Sequence, residues 1–330
     1  MLSTCRATTL ALGTILISST GWAAAFTAGD VFAAVGNGQV KEFTPNGTLV
    51  QTLNDGTGSS FTTGMAFDGS GNLFVTNFSS TTVSKFNSDG ALASSNFLTG
   101  YSTPESILLD ALGNLYVGGN GTATIAKYSA SGGAPTQTFT VTGGNGTGHT
   151  DWIDLSADQH TILYDGEGTA IHSFNLTTQT ENPLFATAPN TSVFAFRIIP
   201  GGANAGDVLA ADSSHAILLS NTGALLRSYT LPGNGGNDFA LNLDPNGVDF
   251  WTSDSISGNI WEVNIATGAI DHQFLSGNPG TTFGLVVDGE ITAGGPPPST
   301  TPEPGTIGLL GLGLAGLVFL RRNAIDSHLQ

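Results

Sequence analysis

The sequence predicts an all-β fold, a six-bladed β-propeller in which strands from the two ends of the chain share one blade. Two observations lead to this fold. A unit of four short apolar strands recurs at a period of about 44 residues, which is typical of a propeller blade. The first unit lacks its opening strand, and the last unit is an opening strand alone. Pairing these two incomplete units would close the ring and cover both strand edges.

The repeat is clearest in two segments, GMAFDGSGNLFV at residues 64–75 and SILLDALGNLYV at residues 106–117. Further opening strands end at Asp244 and Asp288, and two degraded copies fill the interval before Asp244. A second marker, an apolar residue with a small polar residue four positions later, keeps the same period. It occurs at Val40, Val83, Ile125, Ile171, Ile217 and Ile260. Two independent positions with one period indicate a true repeat rather than chance similarity.

Composition agrees with a turn-rich extracellular protein. The chain of 330 residues contains 46 glycines, and only 10% of its residues are charged, against about 25% in typical domains. It has 25 acidic and 8 basic residues, a net charge of −17 that repels phosphate backbones and argues against a nucleic-acid partner. The single cysteine, Cys5, lies near the N-terminus, so we expect no disulfide in the mature protein.

The N-terminal residues predict export. Arg6 precedes an apolar stretch at 10–17, and the alanines at 23–25 provide a small-residue cleavage site. We therefore expect a signal peptide over residues 1–25 that is cleaved before Phe26, with transfer through the inner membrane.

The C-terminal residues predict a short membrane anchor. After a linker at 293–301, residues 305–320 are uncharged and largely apolar, close to the roughly 20 residues of a spanning helix. Arg321 and Arg322 follow, as expected on the cytoplasmic side of such a helix. The sequence thus predicts a transmembrane helix over 305–320 that holds the exported protein at the inner membrane.

The order of Pro302, Glu303, Pro304, an apolar segment and the pair Arg321–Arg322 resembles the PEP-CTERM sorting signal, here over residues 302–325. The resemblance implies processing by exosortase, an integral membrane protease-transpeptidase, and a final place at the cell surface or outside the cell. Because this system accompanies biofilm and exopolysaccharide production, it also implies an exopolysaccharide or a surface protein as partner. The chain departs from the pattern by continuing for eight residues, NAIDSHLQ, after the arginines.

The repeats over residues 26–292 resemble NHL-type propellers, and more loosely the SMP-30/gluconolactonase and streptogramin-lyase groups. In such propellers the opening strands line the central channel, and residues just before them surround one mouth. The positions here are Thr63, Glu105, Asp151, Phe194, Asp238 and Phe283, with Trp152 and Phe239 beside them. From this set we predict binding residues able to hold a cation or to stack on sugar rings, namely Glu105, Asp151, Trp152, Asp238 and Phe239.

The resemblance to lactonase-like propellers implies a divalent metal held by Glu, Asn and Asp residues of different blades. The matching carboxylates here are Glu105, Asp151 and Asp238, which makes a divalent cation the one cofactor to consider. Streptogramin lyases use a histidine and a glutamate near this face, so His149 with Glu105 is the candidate catalytic pair.

Because one fold of this kind hosts enzymes, receptors and scaffolds, the repeat alone does not decide activity. The sequence favours a non-catalytic binding or scaffolding module at the cell surface. The alternatives are a metal-dependent lactonase or lyase that uses the carboxylates of the mouth, and a structural spacer that binds no ligand.

Overall fold

The computed structural model describes residues 24–143 and 149–295. The predicted signal peptide up to residue 23 lies outside this part of the chain, and so do the predicted sorting signal and transmembrane helix. Among the described residues, no helix has the length and apolar character needed to cross a membrane.

Regular structure in the described residues consists of strands and two short 3-10 helices, Phe78–Ser80 and Gly202–Asn204. The strands, in chain order, are β1 (Val31–Ala34), β2 (Gln39–Phe43), β3 (Leu49–Asn54), β4 (Thr62–Phe67), β5 (Leu73–Asn77), β6 (Thr82–Phe86), β7 (Leu92–Leu98), β8 (Pro104–Leu109), β9 (Leu115–Gly119), β10 (Thr124–Tyr128), β11 (Gln137–Thr140), β12 (Ile153–Leu155), β13 (Thr161–Tyr164), β14 (Ala170–Asn175), β15 (Thr180–Glu181), β16 (Ala186–Thr187), β17 (Val193–Ile198), β18 (Val208–Asp212), β19 (His215–Leu219), β20 (Leu225–Tyr229), β21 (Asp238–Leu243), β22 (Asp249–Asp254), β23 (Asn259–Asn264), β24 (Ile270–Leu275) and β25 (Gly284–Val287).

These strands form six antiparallel sheets, the blades of a propeller. Blades 1 to 5 are β4–β7, β8–β11, β12–β15 with β16 added to β14, β17–β20 and β21–β24. Blade 6 has the order β25-β1-β2-β3. The innermost strands β4, β8, β12, β17, β21 and β25 each contact the next, and β25 contacts β4. The predicted six-bladed propeller is therefore confirmed.

The two ends of the described chain close the ring as the repeat count predicts. In blade 6, β25 pairs with β1 so that Leu285 lies opposite Ala33 and Val286 opposite Phe32. All eight residues of this pairing are buried. Closure thus combines a backbone ladder with burial of apolar side chains, and it leaves no exposed inner strand edge.

Strand sequences explain where the core lies. Alternate side chains of the inner strands point toward the adjacent blades, where β-branched and aromatic residues pack into apolar layers. One layer between blades 1 and 2, for example, joins Phe74, Ile107 and Leu115. The core is therefore a series of layers between blades around the channel, and the two ends of the channel are left for polar chemistry.

The aspartate of the repeat has a structural role in the first hairpins of blades 1 and 2. Asp68 Oδ1 accepts hydrogen bonds from the N–H groups of Ser70 and Asn72, and Asp110 accepts equivalent bonds from Leu112 and Asn114. These bonds fix tight turns between the first and second strands of blades 1 and 2. The motif that reveals the repeat therefore builds the blades rather than a ligand site.

We call the face at which the innermost strands begin the entry face, and the opposite one the exit face. Residues 289–295, which we call the exit-face strap, cross the exit face after β25. Glu290 accepts hydrogen bonds from Arg197 Nε at 3.0 Å and from the Leu243 N–H at 2.8 Å. Further along, the Gly294 carbonyl accepts a bond from Gln159 Nε2 at 3.0 Å. The strap thus joins blade 6 to blades 5, 4 and 3 at this face.

Candidate functional site

The entry-face ends of four innermost strands are irregular. Register shifts that indicate β-bulges lie between Thr62 and Met65, Pro104 and Ser106, Val193 and Ala195, and Asp238 and Ala240. A bulge adds a residue that does not pair in the ladder, and it redirects that residue's side chain. The added residues of blades 2, 4 and 5 are Glu105, Phe194 and Phe239. The fold therefore aims one side chain of each of these blades at the channel mouth.

Neighbouring blades hold Glu105 in position. The Thr76 hydroxyl of blade 1 donates to the Glu105 carbonyl at 3.1 Å. Gly64 lies so close to this segment that a Cβ atom there would be 2.5 Å from the Glu105 carbonyl oxygen and 2.8 Å from Ser106 Cα. Only a residue without a side chain allows this approach. Blade 1 thus fixes the backbone from which Glu105 projects.

Three carboxylates meet at the mouth between blades 2 and 3. Glu105, Asp151 and Glu167 each offer an oxygen atom, and these atoms lie within 4.8 Å of one another. Glu105 and Asp151 are 6% and 1% exposed. Among the described residues, Glu105 Oε2 and both carboxylate oxygens of Asp151 have no N–H or hydroxyl donor, and Glu105 and Asp151 lie close enough to share a proton. Buried acceptors without partners are costly and rare in folded proteins, so this carboxylate triad is suited to bind a donor or a cation.

Burial raises the pKa of all three carboxyl groups of this triad, and the negative charge of Asp151 adds to the rise for Glu105 and Glu167. Burial, followed by the charges of Asp151 and Glu167, raises the pKa of Glu105 well above its usual value. Burial also raises the pKa of Asp151. The pKa of Glu167 rises to about 7, mainly through burial and then through Asp151. Nearby Asp165, buried beside Asp151, has its pKa raised for the same two reasons. Negative charge at this half of the mouth is therefore costly, and a bound cation would reduce that cost.

The other half of the mouth is aromatic. Ring centroids are 6.0 Å apart for Phe78 and Phe61, 5.0 Å for Phe61 and Phe283, and 5.3 Å for Phe283 and Phe239. Phe194 stacks on Phe239 at 4.9 Å. These five rings, which we call the phenylalanine arc, come from blades 1, 6, 5 and 4. The arc therefore extends around the part of the mouth that the carboxylate triad does not occupy.

A cavity of about 160 Å³ lies between the triad and the arc. Its lining residues are Phe61, Thr63, Phe78, Glu105, Asn120, Glu167, Phe239 and Phe283. None of these eight is a lysine, arginine or histidine. The cavity thus presents carboxyl oxygens on one side, aromatic faces on the other, and no cationic side chain among its described lining residues.

The structure places two of the predicted binding residues away from this cavity. Trp152 is 2% exposed, donates from Nε1 to the Phe196 carbonyl at 2.8 Å, and stacks under the Arg197 guanidinium at 5.2 Å. Asp238 is fully buried in the ladder opposite Asp254, and its Oδ1 accepts a bond from the Thr252 hydroxyl at 2.6 Å. Because the bulge follows Asp238, the next residue, Phe239, lies at the mouth instead of Asp238.

The predicted catalytic histidine lies at the edge of the triad. His149 Nδ1 is 3.7 Å from Asp151 Oδ2, and the His149 side chain is 23% exposed. The Gly121 N–H also donates to His149 Nδ1 at 3.3 Å. The candidate pair His149 and Glu105 is thus joined through Asp151, which stands next to both.

Glu167 is the site residue that the sequence analysis missed. It lies in the loop between β13 and β14, where the segment DGEGT holds it at a φ of +56° between two glycines. Positive φ is uncommon for a residue with a side chain and often accompanies function. The repeat pattern followed opening strands only, and a search of the entry-face loops for acidic residues between glycines would have found it.

The triad fits the divalent metal that the lactonase resemblance implies. Calcium and related ions prefer carboxylate and carbonyl oxygens, and the unpartnered oxygens of Glu105 and Asp151, with Glu167 and the Asn120 amide nearby, supply such ligands. In this arrangement Glu105, Asp151 and Glu167 would hold the ion. A bound ion would act there as a Lewis acid on a ligand oxygen.

Comparison with known families identifies the end of the chain. The family model for the PEP-CTERM protein-sorting motif matches residues 300–323, a range that includes Pro302–Pro304 and the pair Arg321–Arg322. The chain carries a PEP-CTERM sorting motif. This motif indicates an exported protein that exosortase processes and sorts to the cell surface. No curated protein matches this PEP-CTERM chain in sequence.

Three of the solved structures that resemble this chain are a nidogen/laminin complex and two lyases. A chain of a nidogen/laminin complex matches with a TM-score of 0.62 at 14% identity, over 78% of this chain and 97% of that one. A streptogramin B lyase matches at 0.52 and 17% identity, over 68% and 72%. Virginiamycin B lyase from Staphylococcus aureus matches at 0.50 and 12% identity, over 68% and 74%. At these identities the similarity shows a shared fold.

Proposed function

We propose that this protein is a non-catalytic binding or scaffolding module of the cell surface, associated with exopolysaccharide or the biofilm matrix. Its partner is a surface glycan or protein, and the partner engages the entry-face cavity. The observation that carries the proposal is the cavity itself, in which unpartnered buried carboxylates face a phenylalanine arc. Concave sites with apolar walls and a few convergent polar groups are the usual places of ligand binding.

The path of the chain supports outward presentation of this cavity. The exit-face strap ends with Gly294 beside Leu155 and Gly295 beside Leu109, at the exit-face ends of β12 and β8. The sorting motif begins at residue 300, which even a fully extended chain places within about 18 Å of Gly295. The exit face is therefore the one nearest the membrane during sorting, and the cavity opens at the opposite face.

Cosedimentation with exopolysaccharide from the producing cells tests this function. The full-length chain is compared with Phe239→Leu and Glu105→Gln, which alter the two halves of the cavity. Asp271→Asn, an exposed residue of the outer strand β24, is the matched control. We expect both cavity variants to lose most of the bound fraction and the control to keep it. Retention by both cavity variants would reject the cavity as the binding site.

A metal-dependent lyase or lactonase is the second candidate function. The specific observation in its favour is that the triad lies beside His149, so a metal ligand set and a proton-transferring group share one mouth. In such an enzyme Glu105, Asp151 and Glu167 would hold the ion, and His149 would move a proton at the substrate.

Turnover of lactone and streptogramin substrates with Ca²⁺, Mg²⁺ or Zn²⁺ tests the enzyme. The binding module predicts no metal-dependent turnover. Turnover that His149→Ala abolishes, with folding unchanged, would establish the enzyme instead.

A further inference from the structure

The entry-face cavity has a composition that selects among cations. Four of its eight lining residues are phenylalanines, and two are glutamates. Phe61 is 44% exposed and Phe239 is 8% exposed, so the arc includes one ring open to solvent and one almost enclosed. The two halves face each other across a single cavity. An occupant must therefore satisfy anionic oxygens and aromatic faces together.

The anionic half requires positive charge or donated hydrogen bonds. Glu105 is more than nine-tenths buried, lines the cavity, and has an oxygen without a partner among the described residues. Both carboxylate oxygens of the neighbouring Asp151 are also buried without a hydrogen-bond partner among the described residues. His149 Nδ1 is 3.7 Å from Asp151 Oδ2, and no lysine, arginine or histidine is among the eight described residues that line the cavity. The carboxylates are thus left for an external cation.

The aromatic half distinguishes between kinds of cation. A divalent metal takes six or more oxygen ligands or waters, and the phenylalanine rings supply no such ligand. The face of a phenylalanine ring carries negative partial charge and attracts weakly hydrated organic cations such as ammonium groups. Alkyl groups attached to the nitrogen also pack well on these rings. An organic ammonium group therefore uses both halves of the cavity.

The cavity volume limits the occupant to one small group. Its 160 Å³ resembles the roughly 150 Å³ of an engineered cavity that accepts one benzene molecule. A trimethylammonium group or the end of an amine-bearing chain has a comparable size. A whole sugar ring with its hydroxyl groups and their water is larger, so of an amino sugar only the ammonium group and the carbon that bears it would enter.

We propose that the entry-face cavity binds an ammonium group, with Glu105 and Glu167 supplying charge and the phenylalanine arc supplying aromatic faces. This inference rests on the proposed function, because it names the chemistry through which the surface partner is bound. The ammonium group is a quaternary amine, an amino sugar of a glycan, or a lysine of a protein. In each case the charged head enters the cavity and the remainder of the partner lies across the entry face.

Isothermal titration of the full-length chain in detergent at pH 8 tests the proposal. The probes are choline chloride and its neutral isostere 3,3-dimethylbutan-1-ol, which replaces the nitrogen by carbon. Glucosamine and N-acetyl-lysine amide distinguish the sources of the amine. The variants are Glu105→Gln, Glu167→Gln and Phe239→Leu, with Asp271→Asn as the control. Glu167 is partly exposed, so its variant folds even where a change at buried Glu105 is not tolerated.

We expect choline, or one of the other amines, to bind the wild-type chain and the control equally. Each cavity variant should weaken this binding about tenfold or more. The neutral isostere should bind at least tenfold more weakly than choline. Equal binding of the isostere would overturn the proposal, since it would show that charge has no part in recognition.

Three further results separate this inference from the proposed function. If Ca²⁺, Mg²⁺ or Zn²⁺ binds the triad and no amine binds, the ammonium assignment is wrong. If no amine binds while the cavity variants still lose the exopolysaccharide, the proposed function stands and only the chemistry of recognition changes. If amines bind but the cavity variants retain the exopolysaccharide, the ammonium site stands and the proposed function of the cavity falls.

Discussion

The exit-face strap should contribute measurably to the stability of the closed ring, and Glu290→Gln is the sharpest way to show it. The substitution preserves shape and leaves an oxygen to accept the Leu243 N–H, but it removes the charge beside Arg197. The side chains of Arg197 and Glu290 are 3% and 6% exposed, and the bond between them is 3.0 Å long. The variant therefore leaves an arginine charge buried in the propeller with a weaker partner.

The expected loss follows from the burial of this ion pair. Removing one member of a buried pair destabilises proteins by roughly 3–5 kcal/mol. Asp154 stands near Arg197 and supplies part of the missing negative charge, although burial raises its pKa to about 6. We therefore expect about 3 kcal/mol, near the lower end of the range. For a propeller of this size that corresponds to a fall in Tm of roughly 10 °C.

Calorimetric melting of the full-length chain at pH 7.5 provides the assay. Wild type, Glu290→Gln and the exposed control Asp271→Asn are compared, and the control should change the free energy of unfolding by less than about 0.5 kcal/mol. A change of less than about 0.5 kcal/mol in Glu290→Gln would refute the argument that the strap holds the ring.

Three further predictions concern pH, the bulge and orientation. Burial raises the pKa of Glu42 and of Glu167 to about 7, so both groups bind protons more readily in the folded chain than in the unfolded chain. Their contribution to stability is therefore greatest at low pH and is lost as pH rises through 7. A Tm at pH 8 equal to or above that at pH 5.5 would contradict this. Gly64→Ala should displace the Glu105 backbone and weaken ligand binding at least as much as Glu105→Gln. Unchanged affinity would show that the close contact between Gly64 of blade 1 and the Glu105 backbone is not needed for binding. Asp89→Cys at the exit face and Ser79→Cys at the entry face each provide a site for a dye, and Cys5 is the only native cysteine. In vesicles that carry a quencher on the lipid headgroups, the dye at position 89 should be quenched and the dye at position 79 should not. Equal quenching would reject outward presentation of the cavity.

The sequence carries most of the information about the fold. The period, the four strands of each unit and the complementary ends predict six blades and their closure, since each depends on local patterns of apolar residues. It also predicts that Glu105, Asp151 and Phe239 lie near one mouth, where the structure places them. These positions follow from counting strands, which is a property of the chain itself.

The remaining site depends on geometry that counting does not reveal. A single bulge turns Phe239 rather than Asp238 toward the mouth, although both were predicted to bind. Glu167 reaches the triad from a loop whose backbone has a positive φ, far in sequence from Glu105. Glu290 meets Arg197 only because the chain crosses the exit face after β25. Each of these contacts joins segments of different blades, and no local pattern marks it.

The central claim is that one cavity at the entry face holds the surface partner through an ammonium group. Displacement measures this most directly. The full-length protein is allowed to bind exopolysaccharide or surface protein from the producing cells, and choline or its neutral isostere is then added at equal concentration. The account predicts that choline releases the bound partner and the isostere does not. Release by neither compound, or by both equally, would contradict it.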